Sequence, residues 1–484
     1  MLETAKLGQT LQFGGNSAGA VAAYRSALRN GFRSPGLFFN LGSLLIRLGR
    51  SRLGVSVLAR GLSQYPEHPR LLGAYLTSLL ASTYLPESTK AKEHINRVSR
   101  AYNPAIERPV FPTHHRLRIG CVSPDFREHP KAFLQFRHFR HFDRKRFELY
   151  FYSTRSADDG YNAEARATAD HWREAVDLSP DQIASMIKQD EIDILVDVTG
   201  HFANSPLPVF ALRPAPLQVS LSGYPATTGL PQIDFKIVDH ITDPGSAQDA
   251  FYAEKLHRLN RPFACYAPAP TAPPVGPSPI ERNGFVTFGC FNRRSKINQP
   301  ILSLWAEILR RTPGSRLLFH YPVGKDGGIP PESRNSISRC MRAGGVSSRR
   351  LDFRGYTPLE EHLTMVSSVD IALDTFPYAG MTITFDCLWM GVPVVTLASD
   401  AHVSRTGASI LSSLNLCDWI ANSREQYVEI AVQHAQDSLQ LATLRQGLRP
   451  ALAASPLADG RGYARALENA FLEMWSAVGG PARN

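Results

Sequence analysis

The feature that most constrains the fold is an alternation of apolar strands and helical stretches that occurs twice along the chain, on either side of a proline-dense segment. This spacing predicts parallel, doubly wound α/β sheets, because each parallel crossover needs an intervening helix. The predicted strands are 117–122, 147–152, 192–197, 217–221 and 235–238 in the first series, and 285–291, 316–321, 350–353, 369–374 and 394–397 in the second.

Two such series predict two Rossmann-like domains that face each other across a cleft. We place them at 112–261 and 284–484, with residues 262–283 as an extended proline-rich connector. Ligands of open α/β sheets bind at the carboxyl ends of the strands. Two facing sheets can therefore hold a donor on one side and an acceptor on the other.

Residues 1–105 are predicted to be helical and to repeat with a period of 34 residues. The pair Ser34-Pro35 recurs as His68-Pro69. This period is typical of tetratricopeptide repeats, which are helix pairs that stack into a concave surface for peptides. Only about two to three units fit this length, and such arrays usually need three or more to be stable alone. Helical packing without peptide binding is therefore the alternative interpretation.

The composition, 43% hydrophobic and 20% charged over 484 residues, indicates a globular protein and argues against a disordered one. The first residues contain no basic segment followed by an apolar one, and no apolar run reaches membrane-spanning length. We therefore expect a cytoplasmic protein without a membrane partner. Six cysteines without a C-x-x-C pair indicate reduced, mostly buried thiols. The net charge of +10 raises nucleic acid as a partner, but the arginines are scattered and a positive field equally suits a diphosphate substrate or acidic protein partners. We therefore do not expect a nucleic-acid partner.

Residues 374–393 are predicted to form a strand end, a loop and a short helix that begins near Thr382. At the carboxyl edge of a sheet, a helix N-terminus presents free backbone N–H groups and partial positive charge to a diphosphate. Thr382 and Thr384 are candidates to contact phosphate, and Asp386 is a candidate to accept from a ribose hydroxyl. Simple capping of the helix by the hydroxyl residues is the alternative.

Two further clusters follow strands of the first series. His129 lies in the loop after the first strand, where an imidazole can accept a proton near neutral pH or hold a hydroxyl group. A surface histidine without a role is the alternative. Asp197 and His201 end the third strand and are expected to line the same mouth.

Arg293 and Lys296 follow the first strand of the second series. They supply positive charge where a diphosphate would lie, and a lysine there can stabilise a departing nucleotide. Solvated charges beside a helix cap at Asn298 are the alternative. The chain contains no Asp-x-Asp motif, so we expect no metal ion under the diphosphate.

The segment that begins at Thr357 and Pro358 has the pattern of a capping box with proline at the first helical position. This pattern explains the segment structurally. It also places His362 one turn inside the helix, where the imidazole can contact a base or a ribose.

Taken together, these clusters resemble the O-linked N-acetylglucosamine (O-GlcNAc) transferase family in its compact bacterial form. The resemblance covers about residues 117–416, and the family also places tetratricopeptide repeats ahead of this region. The motifs that carry it are Ser123-Pro124-Asp125-Phe126-Arg127-x-His129, Asp193-Ile194-Leu195-Val196-Asp197 with Gly200-His201, Phe210-Ala211-Leu212-Arg213-Pro214-Ala215-Pro216-x-Gln218, Gly223-Tyr224-Pro225, Phe291-Asn292-x-x-x-Lys296 and Thr382-x-Thr384-x-Asp386-x-Leu388-Trp389-Met390-Gly391-Val392-Pro393.

The resemblance implies a two-sheet glycosyltransferase of the B type (GT-B) that uses no cofactor or metal. It implies transfer of N-acetylglucosamine (GlcNAc) from UDP-GlcNAc to serine or threonine hydroxyls of an acceptor protein or peptide, with inversion at the sugar carbon. His129 matches a base or substrate holder and Lys296 matches a diphosphate-binding lysine; Asp197 and His201 complete the candidate catalytic set. The candidate substrate-binding residues are Gly223, Tyr224, Arg293, Thr357, Pro358, Leu359, His362, Gly380, Met381, Thr382, Ile383 and Asp386.

Within the resemblance, Thr357, Pro358 and His362 match the uridine-binding loop and helix, while Thr382 and Asp386 match the phosphate and ribose contacts. Several residues depart from the family pattern by removing polarity or backbone freedom near the donor pocket. These are Phe133, Ala226, Leu359, Met365, Met381 and Ile383. Two alternatives stay open: a transferase for another acceptor or another UDP sugar such as UDP-glucose, and a non-catalytic peptide-binding adaptor.

Overall fold

The computed structural model describes residues 2–102, 105–129, 134, 136–320 and 329–481. Phe133, one of the departures from the family pattern, lies outside these residues. The chain divides into two compact units, each built from two separate segments. The first unit comprises Met1–Leu85 and Pro268–Ala453, and the second comprises Pro86–Ala267 and Ala454–Asn484.

Five helices form the amino-terminal segment of the first unit: α1 (Leu2–Phe13), α2 (Ser17–Arg29), α3 (Pro35–Arg47), α4 (Ser51–Gln64) and α5 (Pro69–Leu80). The helices α3 and α5 both begin with proline, and their starts lie 34 residues apart. Ser34 Oγ accepts from the Leu37 amide and caps α3, while His68 Nδ1 accepts from the Leu71 amide and caps α5. The predicted helical repeat is therefore confirmed.

The second unit begins with helix α6 (Glu87–Ala101) and continues into a seven-stranded sheet of order β3-β2-β1-β4-β5-β6-β7. All its neighbouring strands are parallel. The strands are β1 (Leu117–Ser123), β2 (Phe147–Ser153), β3 (His171–Glu174), β4 (Ile194–Asp197), β5 (Leu217–Ser220), β6 (Phe235–Asp239) and β7 (Lys255–Leu259). The unit's other α-helices include Gly160–Thr168, Pro180–Gln189, Leu207–Ala211 and Gly460–Ala477.

The carboxyl-terminal segment of the first unit holds a six-stranded sheet of order β10-β9-β8-β11-β12-β13, again with parallel neighbours. The strands are β8 (Thr287–Cys290), β9 (Arg316–His320), β10 (Leu351–Arg354), β11 (Ile371–Leu373), β12 (Val394–Leu397) and β13 (Ile420–Ala421). Its helices are Pro279–Asn283, Gln299–Arg311, Pro331–Ala343, Leu359–Val366, Thr382–Trp389, His402–Ser412, Arg424–Ala435 and Ser438–Ala454. The predicted pair of parallel α/β sheets is confirmed.

The sequence pattern missed three strands, and all three lie at sheet edges: β3, β7 and β13. The strands β3 and β7 are partly exposed and carry polar residues, so they lack the apolar run that marks a central parallel strand. The strand β13 has only two residues. Residues 262–278 of the predicted connector 262–283 contain neither helix nor strand, but its last five residues form the short helix Pro279–Asn283.

The compact units do not follow the predicted domain boundaries. The helix Gly460–Ala477 was placed with the second sheet, but its apolar face packs into the core of the first sheet through Leu467, Phe471 and Trp475. None of the described helices is both long enough and apolar enough to cross a membrane.

Candidate functional site

The loop between β11 and the helix Thr382–Trp389 is organised by the buried carboxylate of Asp374. Its Oδ1 accepts from the amides of Thr375 and Gly380, both at 2.8 Å, and from Asn292 Nδ2 at 3.1 Å. Its Oδ2 accepts from Thr396 Oγ1 at 2.8 Å. Burial raises the pKa of this carboxyl, and the surrounding donors oppose the rise. Asp374 therefore joins the β8 loop, strand β12 and the start of the short helix.

Lys296 lies beside the same loop, as the sequence predicted. Its ammonium donates to the Ala379 carbonyl at 2.8 Å and to Asn292 Oδ1 at 3.3 Å. The ammonium also lies 3.8 Å from the centre of the Tyr378 ring. Lys296 is only 8% exposed, so the alternative of a solvated charge is wrong. Asn298 does cap the helix Gln299–Arg311, by accepting from the Ile301 amide.

Burial lowers the pKa of Lys296 to about 7, with repulsion from Arg293 as the next cause and attraction by Asp374 opposing both. A buried ammonium with so few anionic neighbours has a strong affinity for an added negative charge. Arg293 itself is exposed, and its guanidinium bonds to the Tyr378 side chain.

The helix Thr382–Trp389 begins at the N-cap residue Met381, and no side chain among the described residues caps it. Instead of capping, Thr384 Oγ1 donates back to the Gly380 carbonyl at 2.8 Å. The alternative that the hydroxyls simply cap the helix is therefore wrong. Within the part of the chain that the structure describes, the first-turn N–H groups near Thr382 and Ile383 have no side-chain acceptor, so they are suited to an anion.

His362 and His320 stack beside this helix with ring centres 5.0 Å apart. His362 Nε2 lies 3.9 Å from Asp386 Oδ2. Burial lowers the pKa of His362 to about 3, with repulsion from His320 as the second cause, and lowers that of His320 to about 4. Both imidazoles are therefore neutral at physiological pH and suited to hydrogen bonding and stacking.

The predicted capping box at Thr357 is wrong. The helix Leu359–Val366 has Pro358 at its N-cap without a side-chain cap bond, and Thr357 Oγ1 instead contacts His320 Nε2 at 3.3 Å. Thr357 and Pro358 also line an open cavity of about 600 Å³ with Glu360, Glu361, Thr364, Met365 and Ser368. Leu359 is absent from this lining although it was a candidate contact.

In the second unit, His129 is partly exposed, with its Nδ1 3.8 Å from the Asp125 carboxylate. Asp125 is held in place by its own amide, which donates to Ser123 Oγ at 3.0 Å. A carboxylate therefore lies on the Nδ1 side of the imidazole. His129 keeps its predicted place after β1, and its catalytic role stays a prediction.

Asp197 and His201 are buried in the second unit and bind local backbone groups. Asp197 Oδ1 accepts from the amides of Thr199 and Gly200, both at 2.9 Å, and its Oδ2 accepts from Ser220 Oγ at 3.3 Å. His201 Nε2 lies 2.7 Å from the Thr228 carbonyl. These contacts shape the loop after β4, so they explain both residues structurally; their catalytic role stays a prediction.

Gly223 and Tyr224 complete this buried cluster. A Cβ at Gly223 would lie 1.9 Å from the Val198 carbonyl oxygen, so only glycine fits there. The Tyr224 hydroxyl lies 2.8 Å from His94 Nε2, on helix α6. Burial lowers the pKa of His94 to about 4. Burial, followed by repulsion from His94, lowers the pKa of His201 to about 3. The sequence did not indicate His94.

The comparisons with known proteins are decisive about the family. The model of glycosyl transferase family 41 matches residues 90–266 and 282–467. This chain belongs to that family. The resemblance seen in the sequence is therefore confirmed.

Relatives of this family 41 chain include the probable UDP-N-acetylglucosamine–peptide N-acetylglucosaminyltransferases SPINDLY of Petunia hybrida and SEC of Arabidopsis thaliana. SPINDLY is 38% identical over 366 residues, which cover 74% of this chain and 39% of that protein. SEC is 30% identical over 376 residues, which cover 75% of this chain and 37% of that protein. The chain thus spans about two fifths of the length of these relatives.

Among solved structures, a mutant Thermobaculum terrenum O-GlcNAc transferase is similar with a TM-score of 0.90 and 31% identity. The alignment covers 98% of this chain and 90% of that one. Family 41 membership and this structural similarity together confirm the predicted glycosyltransferase fold with preceding helical repeats.

Proposed function

We propose that the protein transfers GlcNAc from UDP-GlcNAc to serine or threonine hydroxyls of proteins, with inversion and without a metal ion. The observation that carries this proposal is the buried Lys296 ammonium beside the uncapped N-terminus of the helix Thr382–Trp389. A cation and free N–H groups at one place suit a diphosphate. The relatives SPINDLY and SEC are named as probable UDP-N-acetylglucosamine–peptide N-acetylglucosaminyltransferases, which supports this donor and this acceptor.

In the proposed reaction, the acceptor hydroxyl oxygen attacks the anomeric carbon in line with the departing diphosphate. The new carbon–oxygen bond forms as the bond from the anomeric carbon to the β-phosphate oxygen breaks, and UDP leaves with the electron pair. The Lys296 ammonium and the first-turn N–H groups stabilise the charge that develops on the leaving oxygen. The hydroxyl also loses its proton, and His129 is the candidate base that receives it.

The nucleoside would bind near the two stacked imidazoles. His362, His320 and Asp386 present neutral ring and carboxylate groups, which are suited to a base and ribose hydroxyls. Met381 and Ile383 lie at the start of the helix Thr382–Trp389, where the phosphates would bind in this proposal. We assign the protein to the cytoplasm, since its six cysteines are all free, which fits a reducing compartment.

The first test is binding of UDP by calorimetry, followed by intact-mass analysis of host proteins incubated with the enzyme and each UDP sugar. We expect UDP binding and a mass gain of one N-acetylhexosamine with UDP-GlcNAc alone. GDP serves as the control for base recognition. A gain from another sugar would reassign the donor, and absence of nucleotide binding would leave a peptide-binding adaptor.

Lys296→Ala tests the observation directly. We expect transfer to fall roughly 100- to 1000-fold, as when one preorganised donor to a developing oxyanion is removed. Lys188→Ala, which removes an exposed lysine from the second unit, is the matched control and should leave transfer unchanged. Equal activity of the two variants would contradict the proposed role of Lys296.

A further inference from the structure

Lys296 is carried by a tight turn, and Arg294 closes that turn with its side chain. The turn spans Arg294–Lys296, with backbone bonds from the Lys296 amide to the Arg293 carbonyl and from the Ile297 amide to the Arg294 carbonyl. The Arg294 guanidinium donates through Nη1 to the Ile297 carbonyl, one residue beyond the lysine. The position of this guanidinium therefore sets the shape of the segment that holds the ammonium.

The other side of the Arg294 guanidinium lies against Gly49 in the helical repeats. Gly49 follows helix α3 with φ +79°, a left-handed conformation that favours glycine. A Cβ built at Gly49 would lie 1.9 Å from Arg294 Nη2 and 2.3 Å from Cζ. The guanidinium thus occupies the space that any other side chain at position 49 would fill.

The charge of Arg294 suits this location. The Gly49 amide bonds to the Ile46 carbonyl and the Arg50 amide to the Leu45 carbonyl, so the guanidinium lies at the carboxyl end of α3. A helix carries partial negative charge at this end and favours a cation there. Arg294 is only 9% exposed, which limits screening by solvent.

We propose that the helical repeats position the diphosphate-binding lysine through the contact between Gly49 and Arg294. Arg294 is then a positioning residue: it acts on the donor through the turn that carries Lys296. A repeat region in this role does more than present acceptor peptides, since it holds part of the donor site in shape. The proposal rests on the proposed function of Lys296 in binding the UDP diphosphate.

The test compares Gly49→Ala with Gly31→Ala in the full-length protein. Gly31 follows helix α2 with φ +85° and the same pattern of end bonds, from the Gly31 amide to Leu28 and from the Phe32 amide to Ala27. A Cβ at Gly31 meets nothing within 4 Å. Both variants therefore carry the same backbone strain, and only Gly49→Ala displaces Arg294.

The first readout needs no ligand: the pKa of Lys296 is followed by NMR of ¹³C-labelled lysine side chains, with the signal assigned by Lys296→Arg. We expect the pKa to rise from about 7 in Gly49→Ala, because a loosened turn lets water reach the ammonium, and to stay unchanged in Gly31→Ala. An identical Lys296 titration in both variants and the unchanged protein would overturn the proposal.

The second readout is the dissociation constant of UDP. We expect about tenfold weaker binding in Gly49→Ala, the effect of misplacing one charge-assisted hydrogen bond, and no change in Gly31→Ala. If the unchanged protein binds no UDP, the proposed function fails, while the NMR comparison still decides whether the repeats position Lys296. UDP binding that is equal in all three proteins overturns the positioning role alone.

Arg294→Ala tests the same contact without placing a larger side chain at position 49. We expect it to shift the Lys296 pKa and weaken UDP binding as Gly49→Ala does. The double variant should then be no worse than either single variant, because both changes remove the same contact. Additive effects would mean that the two residues act independently and would overturn the proposal.

Discussion

At the scale of single residues, the Lys296 ammonium is the group whose charge decides binding. Its pKa of about 7 in the ligand-free protein follows first from burial. A bound diphosphate favours the protonated form and raises that pKa. The ammonium is therefore charged below about pH 7 and needs to take up a proton on binding above it.

We predict that UDP affinity weakens by up to about tenfold per pH unit above pH 7. The sign follows from the lowered pKa of the free protein, since only the protonated lysine attracts the diphosphate. Calorimetry between pH 7 and 9 measures this slope. Lys296→Arg keeps its charge throughout this range and should give a flat profile. A slope shared by both proteins would show that another group titrates.

Asp374 is the second residue with a prediction of its own. Asp374→Asn replaces one carboxylate oxygen, which accepts hydrogen bonds, with an NH2 group, which can only donate them. We expect this change to destabilise the protein by about 3 kcal/mol and to abolish UDP binding. Thr396→Val removes only the bond to Oδ2 and should lower stability by about 1 kcal/mol with UDP binding retained. Chemical unfolding and calorimetry measure the two effects. Loss of UDP binding in Thr396→Val would contradict this separation.

The sequence indicated some residues of the site and not others for a physical reason. Lys296 and Thr382 follow predicted strands, so their place at the edge of the sheet could be predicted from the order of elements. Asp374 and Asn292 act through a hydrogen bond between loops 82 residues apart in the chain. Such a contact depends on the register of neighbouring strands, which no local pattern indicates.

At the scale of elements, the close packing of α3 against α4 depends on small residues. A Cβ at Gly42 would lie 2.6 Å from Leu58 Cγ and 3.1 Å from the Gly54 carbonyl oxygen. Both partners belong to the facing helix, so the space cannot open without a shift of α4. Side chains in such close-packed interfaces tolerate little added volume.

We predict that Gly42→Ala destabilises the protein by about 1–3 kcal/mol through overpacking. Gly36→Ala lies in the same helix, meets nothing within 4 Å and should be neutral or stabilise by up to about 1 kcal/mol. Thermal unfolding of both variants measures the difference. A stabilising Gly42→Ala would show that α3 and α4 can separate freely.

The elements predicted best are those whose pattern reflects burial on both faces. Strands β1 and β4 are almost continuously buried and mostly apolar, because parallel central strands are covered by helices. The edge strand β3, with the sequence His-Trp-Arg-Glu, pairs on one side only and has no such pattern. The period of 34 was readable because Pro35 and Pro69 occupy equivalent helix starts.

At the scale of the whole molecule, each compact unit is assembled from two distant segments. No local composition indicates this, because the apolar face of Gly460–Ala477 is compatible with either sheet. Its Phe471 ring is fully buried and lies 6.2 Å from the Phe142 ring. The helix therefore forms part of the core of the second unit.

We predict that Phe471→Ala destabilises the second unit by about 3–5 kcal/mol. Hydrogen exchange read by mass spectrometry should show faster exchange in β1 and β2, which share this core, than in the unchanged protein. Leu439→Ala changes a side chain that is 77% exposed and is the matched control, with no expected effect. Protection of β1 that survives Phe471→Ala would contradict this assignment.

The two-segment build of the second unit also has a consequence for synthesis. The strands β1 to β7 leave the ribosome early, but the helix that covers their apolar face is translated only after residues 268–453. Domains that are continuous in sequence can fold as they emerge. In the second unit, Phe142 and Phe147 stay uncovered until the helix Gly460–Ala477 has been translated. A nascent chain interrupted before residue 460 would expose that surface to chaperones and proteases, so abundance in the cell depends on complete translation.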